Sequence, residues 1–237
     1  MKSIYAKENN PTLVLASNRP WFKHKAQSLA QTLNLNCVLI QDKKDLNLEH
    51  LRNLSPKFIF IPHWSYKIPP EVYEEFCCVM FHMTDLPFGR GGSPLQNLIS
   101  RGFEKTQVSA FICEEEMDAG PILLKKELSL MGTAEEIFIR FSELTIKMIE
   151  EIYKTSPQAQ VQEGEVTHFT RRTSAQSQIP QVQNLEELYN HIRMLDAEGY
   201  PRAFIEYCGL KLEFSRASLK VDHLVADVKI SLNEAPL

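Results

Sequence analysis

Two side chains stand where proton chemistry could be done. His82 ends the apolar run Cys77-Cys78-Val79-Met80-Phe81 and opens a Pro/Gly-rich loop that reaches Pro94. A side chain presented at the end of a buried strand is where open α/β enzymes place their reacting groups. Asp118 follows 36 positions later (118 − 82), in the turn Met117-Asp118-Ala119-Gly120-Pro121 that leads into another apolar run. Imidazole titrates at about 6.5, so it can take up or release a proton near neutral pH, and a carboxylate beside it can orient the ring and stabilise its charged form. Taken singly, a histidine after an apolar run is most often a core residue, and an aspartate near glycine a turn former. Each is a candidate for acid–base chemistry.

Such chemistry needs a scaffold, and the chain supplies a recurring one. The short apolar runs Thr12 to Ser17, Cys37 to Ile40, Phe58 to Ile61 and Cys77 to Phe81 alternate with helix-patterned segments at Trp21 to Leu33, Leu46 to Leu54 and Val72 to Phe76. Continuous apolar strands between helices predict a parallel sheet covered on both faces. Pro94 to Ile99 reads as the first turns of another helix with Ser93 as a possible cap. Val108 to Cys113 and Ile122 to Leu130 read as strands. Thr133 caps a long amphipathic helix with an acidic first turn that runs to about Tyr153. After a polar, glutamine-rich connection from Thr155 to Glu165 come a helix from Leu185 to Leu195 and alternating segments at Ala203 to Cys208 and Leu210 to Phe214. The expected organisation is a catalytic domain over 1–155, then a linker and a small, mostly β subdomain with one helix over 156–237.

The bulk numbers narrow the chemistry. The chain has 237 residues, 43% hydrophobic and 24% charged, and no apolar run approaches the roughly 20 residues of a membrane span. Met1 to Asn10 lacks an apolar signal-peptide core, so a cytoplasmic protein is expected. Five cysteines without CxxC spacing suggest reduced thiols, with neither a disulfide scaffold nor a zinc site. A net charge of −4 carries no electrostatic footprint for nucleic acid and favours a small-molecule substrate.

The segment Met80-Phe81-His82-Met83-Thr84-Asp85-Leu86-Pro87, followed by Arg90-Gly91, resembles the catalytic loop of the folate-dependent formyltransferases. That loop reads Asn-x-His-x-x-x-Leu-Pro with Arg-Gly a few residues on, and Met80 stands where the family has asparagine. Met117 to Leu123 resembles the family's Asp-x-Gly turn. Arg171-Arg172, Leu188 to Asp196, Tyr200-Pro201 and Ala203-Phe204 look like the small domain of the sugar-nucleotide N-formyltransferases. Pro62-His63-Trp64 and His82 to Pro87 are most similar to the branch holding the formyltransferase of pseudaminic-acid-type sugar synthesis and the formylation domains of peptide synthetases.

The resemblance implies a Rossmann-like α/β catalytic domain, with a mostly parallel sheet, that transfers a formyl group from N10-formyltetrahydrofolate to a primary amine. It implies His82 as general base and Asp118 as its orienting partner. It places the folate against Phe111, Ile112, Cys113, Glu114, Met117 and Asp118, with Leu86 and Pro87. The substrate then falls to Asn18, Arg19, Trp21, Trp64, Thr84, Arg90, Gly91 and Gly92. Gly91 and Gly92 read as conformational residues first, and the two tryptophans suit core or helix packing more often than nucleotide stacking.

A thioether cannot donate a hydrogen bond, so Met80 cannot be the oxyanion donor that asparagine is. Three readings stay open: protonated His82 acts alone, another donor such as His63 or Asn18 substitutes, or the protein is weakly active or inactive.

The acceptor expected from the resemblance is a nucleotide-linked amino-deoxysugar used in glycan biosynthesis, with no nucleic acid, membrane or metal involved and the choice between monomer and homodimer open. The alternatives are a methionyl-tRNA formyltransferase-like enzyme and a non-catalytic folate- or nucleotide-binding homologue. Eight Lys and Arg against nine Asp and Glu from Val166 onward argue against tRNA.

Overall fold

The computed structural model describes residues 11–233. They form two compact units. One gathers the chain up to His82 with Ser109–Lys125 and Ser142–Gln162; the other gathers Met83–Val108, Lys126–Phe141 and the chain from Glu163 on.

The first unit is the expected α/β body. Strands β1 (Thr12–Ser17), β2 (Asn36–Ile40), β3 (Pro56–His63) and β4 (Cys78–His82) alternate with helices α1 (Lys25–Leu33), α2 (Leu48–Leu54) and α3 (Pro70–Glu75). The segment read as one helix from Trp21 divides into a 3-10 turn at Pro20–Phe22 and α1. Strands β1 to β4 pair in parallel, β1 lying between β2 and β3. Their runs are apolar throughout because helices cover both faces: Leu13 to Ala16, Ile59 to Ile61 and Val79 are almost fully buried. Leu51 of α2 and Val72 of α3 close one side of this core at 0% exposure. Each is worth about 1.5–3 kcal/mol of burial. Asn47 caps α2 by accepting a hydrogen bond from the His50 N–H at 2.9 Å.

β5 (Arg90–Gly91) and α4 (Pro94–Ile99) follow; β6 (Lys105–Ile112), β7 (Ile122–Ser129) and α5 (Ala134–Thr155) each contribute residues to both units. The sheet order is β2-β1-β3-β4-β6-β7, with β6 antiparallel to β4, so the sheet is mostly parallel.

In the second unit, Thr133 begins α5 with a reciprocal cap: its N–H donates to Glu136 Oε2 at 2.8 Å and its hydroxyl accepts from the Glu136 N–H at 3.3 Å. Ser93 behaves differently from its sequence reading. It has a left-handed φ of 52° and makes no side-chain cap on α4; its hydroxyl instead accepts from the Arg172 N–H at 3.1 Å. The two-residue β8 (His168–Phe169) pairs in parallel with β5. Asn184 caps α6 (Leu185–Arg193), which packs against the three-stranded antiparallel sheet β11-β10-β9, formed by β9 (Ala203–Tyr207), β10 (Leu210–Leu219) and β11 (Leu224–Leu232). β11 carries no sequence signal of its own, because Val221 to Leu232 mixes charge and apolar residues in every window. No helix among the described residues is long and apolar enough to cross a membrane.

Candidate active site

The strand order fixes where a ligand can sit in the first unit. The chain leaves β1 toward β2 on one side and returns as β3 on the other, which makes a topological switch point at the carboxyl ends of β1 and β3. Asn18 and Arg19 follow β1, and His63 and Trp64 end β3. Ser17 and His63 are register partners, and the Ser17 hydroxyl donates to the His63 carbonyl at 3.0 Å. Ile61 of β3 pairs with Met80 of β4, and two positions further along each strand lie His63 and His82. β3 is irregular just beyond Ile61, since Leu15 of β1 pairs with Phe60 but Ser17 with His63, and the two imidazoles stand at the ends of adjacent strands, which run about 4.8 Å apart.

His82 is buried, and its Nδ1 lies 3.7 Å from Asp118 Oδ2, the two side chains being 10% and 9% exposed. That is ion-pair reach and longer than a hydrogen bond, a spacing common in catalytic pairs before substrate binds. Asp118 sits in the turn at a left-handed φ of 55°. Gly120 is required there, since a Cβ on it would lie 1.8 Å from the Ile112 carbonyl oxygen. The turn is also held from outside: Gln162 Nε2 donates to the carbonyls of Asp118 at 2.8 Å and Gly120 at 2.9 Å. Gln162 belongs to the stretch read from sequence as a bare connection, and its neighbour Gln160 pairs through its backbone with Ile122. A single polar residue in a polar segment gave no signal of this.

His63 is half-buried and stacked against Trp21, with ring centroids 5.8 Å apart. Burial first, then the neighbouring Arg19 charge, pushes its pKa down to about 3, so the ring is neutral near pH 7. Arg19 Nη2 donates to the Ser65 hydroxyl at 3.2 Å. Trp64 packs against the core cluster and meets Tyr66 edge-on at 5.7 Å. Two buried polar atoms at these strand ends, Asn18 Oδ1 and Trp64 Nε1, have no hydrogen-bond partner among the described residues. Unsatisfied buried polar atoms are uncommon and call for an explanation; at a switch point, a polar ligand is the fitting one. Met80 is half-buried and packs on the same core cluster as Trp64.

Of the residues expected beside the folate, Phe111 is fully buried and Ile112 and Cys113 are largely enclosed. Glu114 and Met117 are exposed, Met117 at 68%. Burial, reinforced by the charges of Asp118 and Glu114, raises the Cys113 thiol to about 11 and keeps it protonated.

Thr84, Leu86, Pro87, Arg90, Gly91 and Gly92 belong to the second unit. There Thr84, Leu86, Pro87 and Arg90 are buried, and Leu86–Pro87 is a cis peptide. The glycines serve close approach to the β8 strand. A Cβ on Gly91, at φ +107°, would lie 2.4 Å from the Phe169 carbonyl oxygen, and one on Gly92 would lie 2.5 Å from Arg171 Cβ. The Gly89 N–H donates to the Thr167 hydroxyl at 2.7 Å.

Comparison with known proteins sorts the expectations. Residues 8–151 match the family described as formyl transferase, and 174–231 match the methionyl-tRNA formyltransferase C-terminal domain. The solved methionyl-tRNA formyltransferase from Clostridium thermocellum is 47% identical, with a TM-score of 0.91 over 94% of this chain and 100% of its own. The methionyl-tRNA formyltransferase of Campylobacter lari is 29% identical over 75% of this chain and 59% of its own length. The chain spans roughly half to three-fifths of the curated relatives it matches (52%, 60% and 59%). A sugar N-formyltransferase from Shewanella, 15% identical with a TM-score of 0.67 over 90% of this chain and 99% of its own, shares the fold alone.

The amino-sugar acceptor and the exclusion of nucleic acid are therefore corrected, because the relatives and the C-terminal match point to methionyl-tRNA formyltransferases. Counting eight basic against nine acidic residues misled because nucleic-acid binding depends on which basic groups share a face, not on their sum. N10-formyltetrahydrofolate, expected from the resemblance, is the one-carbon donor of this family. With the His82–Asp118 pair and the α/β body both lying within the matched region, this chain belongs to the formyl transferase family.

Proposed function

We propose that this chain formylates the α-amine of an aminoacyl-tRNA, methionyl-tRNA being the acceptor named for its relatives, with N10-formyltetrahydrofolate as donor. The carrying observation is the buried His82–Asp118 pair at the end of β4. The folate supplies an activated formyl carbon, and the turn from Phe111 to Asp118 is the part of the chain that would hold it.

An amine attacks only when unprotonated. With Nδ1 directed at Asp118, His82 Nε2 is the nitrogen that accepts the amine's proton, and the Asp118 carboxylate stabilises the imidazolium so formed. The same proton then goes to the departing nitrogen, which returns His82 to its starting state. Negative charge developing on the formyl oxygen needs N–H donors. In place of position 80, the neutral His63 ring and the Asn18 amide stand at the adjacent strand ends.

The direct test incubates the purified protein with N10-formyltetrahydrofolate and methionyl-tRNA, following formyl-methionyl-tRNA and tetrahydrofolate together. Uncharged tRNA and free methionine serve as controls. Turnover with methionyl-tRNA alone is expected; its absence overturns the reading.

A further inference from the structure

β11 is the outer strand of the three-stranded sheet and is nine residues long; among the described residues no strand pairs with its other side. Its bonds to β10 run through odd-numbered residues. The Asn233 N–H donates to the Gly209 carbonyl at 2.9 Å, and at the hairpin end the Lys220 N–H donates to the His223 carbonyl at 2.8 Å. Ladder bonds alternate along an antiparallel strand, so Ala226, Val228, Ile230 and Leu232 turn their N–H and C=O groups to the open edge. Val228, Ile230 and Leu232 also share one face and are 44%, 61% and 78% exposed. That face continues inward, because Val228 and Ile230 sit opposite Phe214 and Leu212 of β10. Natural sheets blunt such an edge with bulges, proline or charged side chains, lysine above all; the charges β11 carries, Asp227 and Lys229, are of opposite sign. Here the only irregularity of the pair lies in β10, between Ser215 and Ser218, and β11 stays regular.

We propose that β11 is a self-association surface, on which two copies of this chain pair edge to edge and antiparallel about a twofold axis through Val228. In that register paired residue numbers sum to 456 (228 + 228). Leu224 then faces Leu232 of the second copy and Ala226 faces Ile230 on the apolar side, while on the other side Asp227 faces Lys229. Shifting the axis to residue 227 sets Asp227 against Asp227, and shifting it to 229 sets Lys229 against Lys229, both like-charge pairs. A one-residue slip sets the apolar face against the polar one. Asp227 and Lys229 pair within their own chain with Arg216 and Glu213, yet are 51% and 79% exposed and so remain reachable. Opposite charges directly across a strand pair favour it, and like charges oppose it. One pair of strands is a small interface, so the dimer forms and dissociates at micromolar concentration.

Sedimentation velocity of the full chain, from about 1 to about 200 μM, should show a shift from 27.3 kDa toward twice that mass. D227K alone and K229D alone should each weaken dimerisation at least about tenfold, while an equimolar mixture of the two should restore it, since each strand then meets its charge complement. Circular dichroism melts of both variants check that the fold is kept, and V228C should form a symmetric disulfide-linked dimer above the wild-type background from Cys77 and Cys208. A wild type that stays monomeric throughout overturns the proposal. So do single variants that dimerise as well as wild type, which would place self-association on another surface.

Discussion

The Gln162 side-chain amide donates to the backbone carbonyls on both sides of Ala119, those of Asp118 and Gly120, at 2.8 and 2.9 Å. It thereby fixes the turn that aims the Asp118 carboxylate at His82. Each neutral hydrogen bond contributes about 0.5–1.5 kcal/mol. Gln162→Ala removes two such bonds and should lower kcat about 5- to 150-fold with KM for the acceptor little changed. Gln162→Glu should be worse, because a carboxylate then faces two carbonyls. Steady-state kinetics with a thermal melt separates this from general destabilisation, and an unchanged kcat in both variants would remove the positioning role.

The His82–Asp118 pair makes a graded prediction. His82→Ala removes the proton acceptor and should cost about 10²–10⁴ in kcat. Asp118→Asn keeps the turn and the shape but cannot stabilise the imidazolium, so it should fall between wild type and His82→Ala. The check is single-turnover formyl transfer at saturating donor; an Asp118→Asn enzyme as fast as wild type contradicts the assigned roles.

His63 bears on both activity and stability. If it and Asn18 stand in for the donor that Met80 cannot be, His63→Ala and Asn18→Ala should each lower kcat by about 10–10³, and full turnover in both eliminates the idea. Its pKa, lowered to about 3 in the folded protein, lies below the ordinary value of about 6.5. Between those limits the unfolded chain binds a proton that the folded chain does not. Stability from this group is thus full above about pH 6.5 and lost as pH falls toward 3, by up to about 1.4 kcal/mol per unit. Urea unfolding at pH 7 and pH 5 should show a smaller pH dependence in His63→Phe than in wild type.

Glycine substitutions distinguish close approach from backbone strain alone. Gly120→Ala would set a Cβ 1.8 Å from the Ile112 oxygen, whereas Gly102→Ala meets nothing within 4 Å but retains φ +76°. Gly102→Ala should cost about 1 kcal/mol for left-handed strain, and Gly120→Ala distinctly more, together with loss of activity as the Asp118 turn shifts. Equal unfolding midpoints for the two variants would argue against the close approach.

The sequence by itself determined the alternation of strands and helices, the mostly parallel sheet and the placement of His82 at a strand end. Each follows from local hydrophobic periodicity and chain direction. It also singled out Asp118, because the turn around it resembles the Asp-x-Gly turn of the formyltransferases. Tertiary structure alone decided the rest. His63 comes near His82 only because β3 and β4 are neighbouring parallel strands that end at the same edge of the sheet. Gln162 reaches Asp118 only because the segment after α5 folds back on the turn. Gly91 and Gly92 are needed only because β8 runs beside them. β11 finds its place only through pairing with β10. These contacts join residues far apart in the chain, and periodicity along a sequence carries no record of which distant segment will lie alongside. The acceptor was likewise illegible: residue counts give the sum of charge after Val166, while recognition depends on how those charges are arranged over a folded surface.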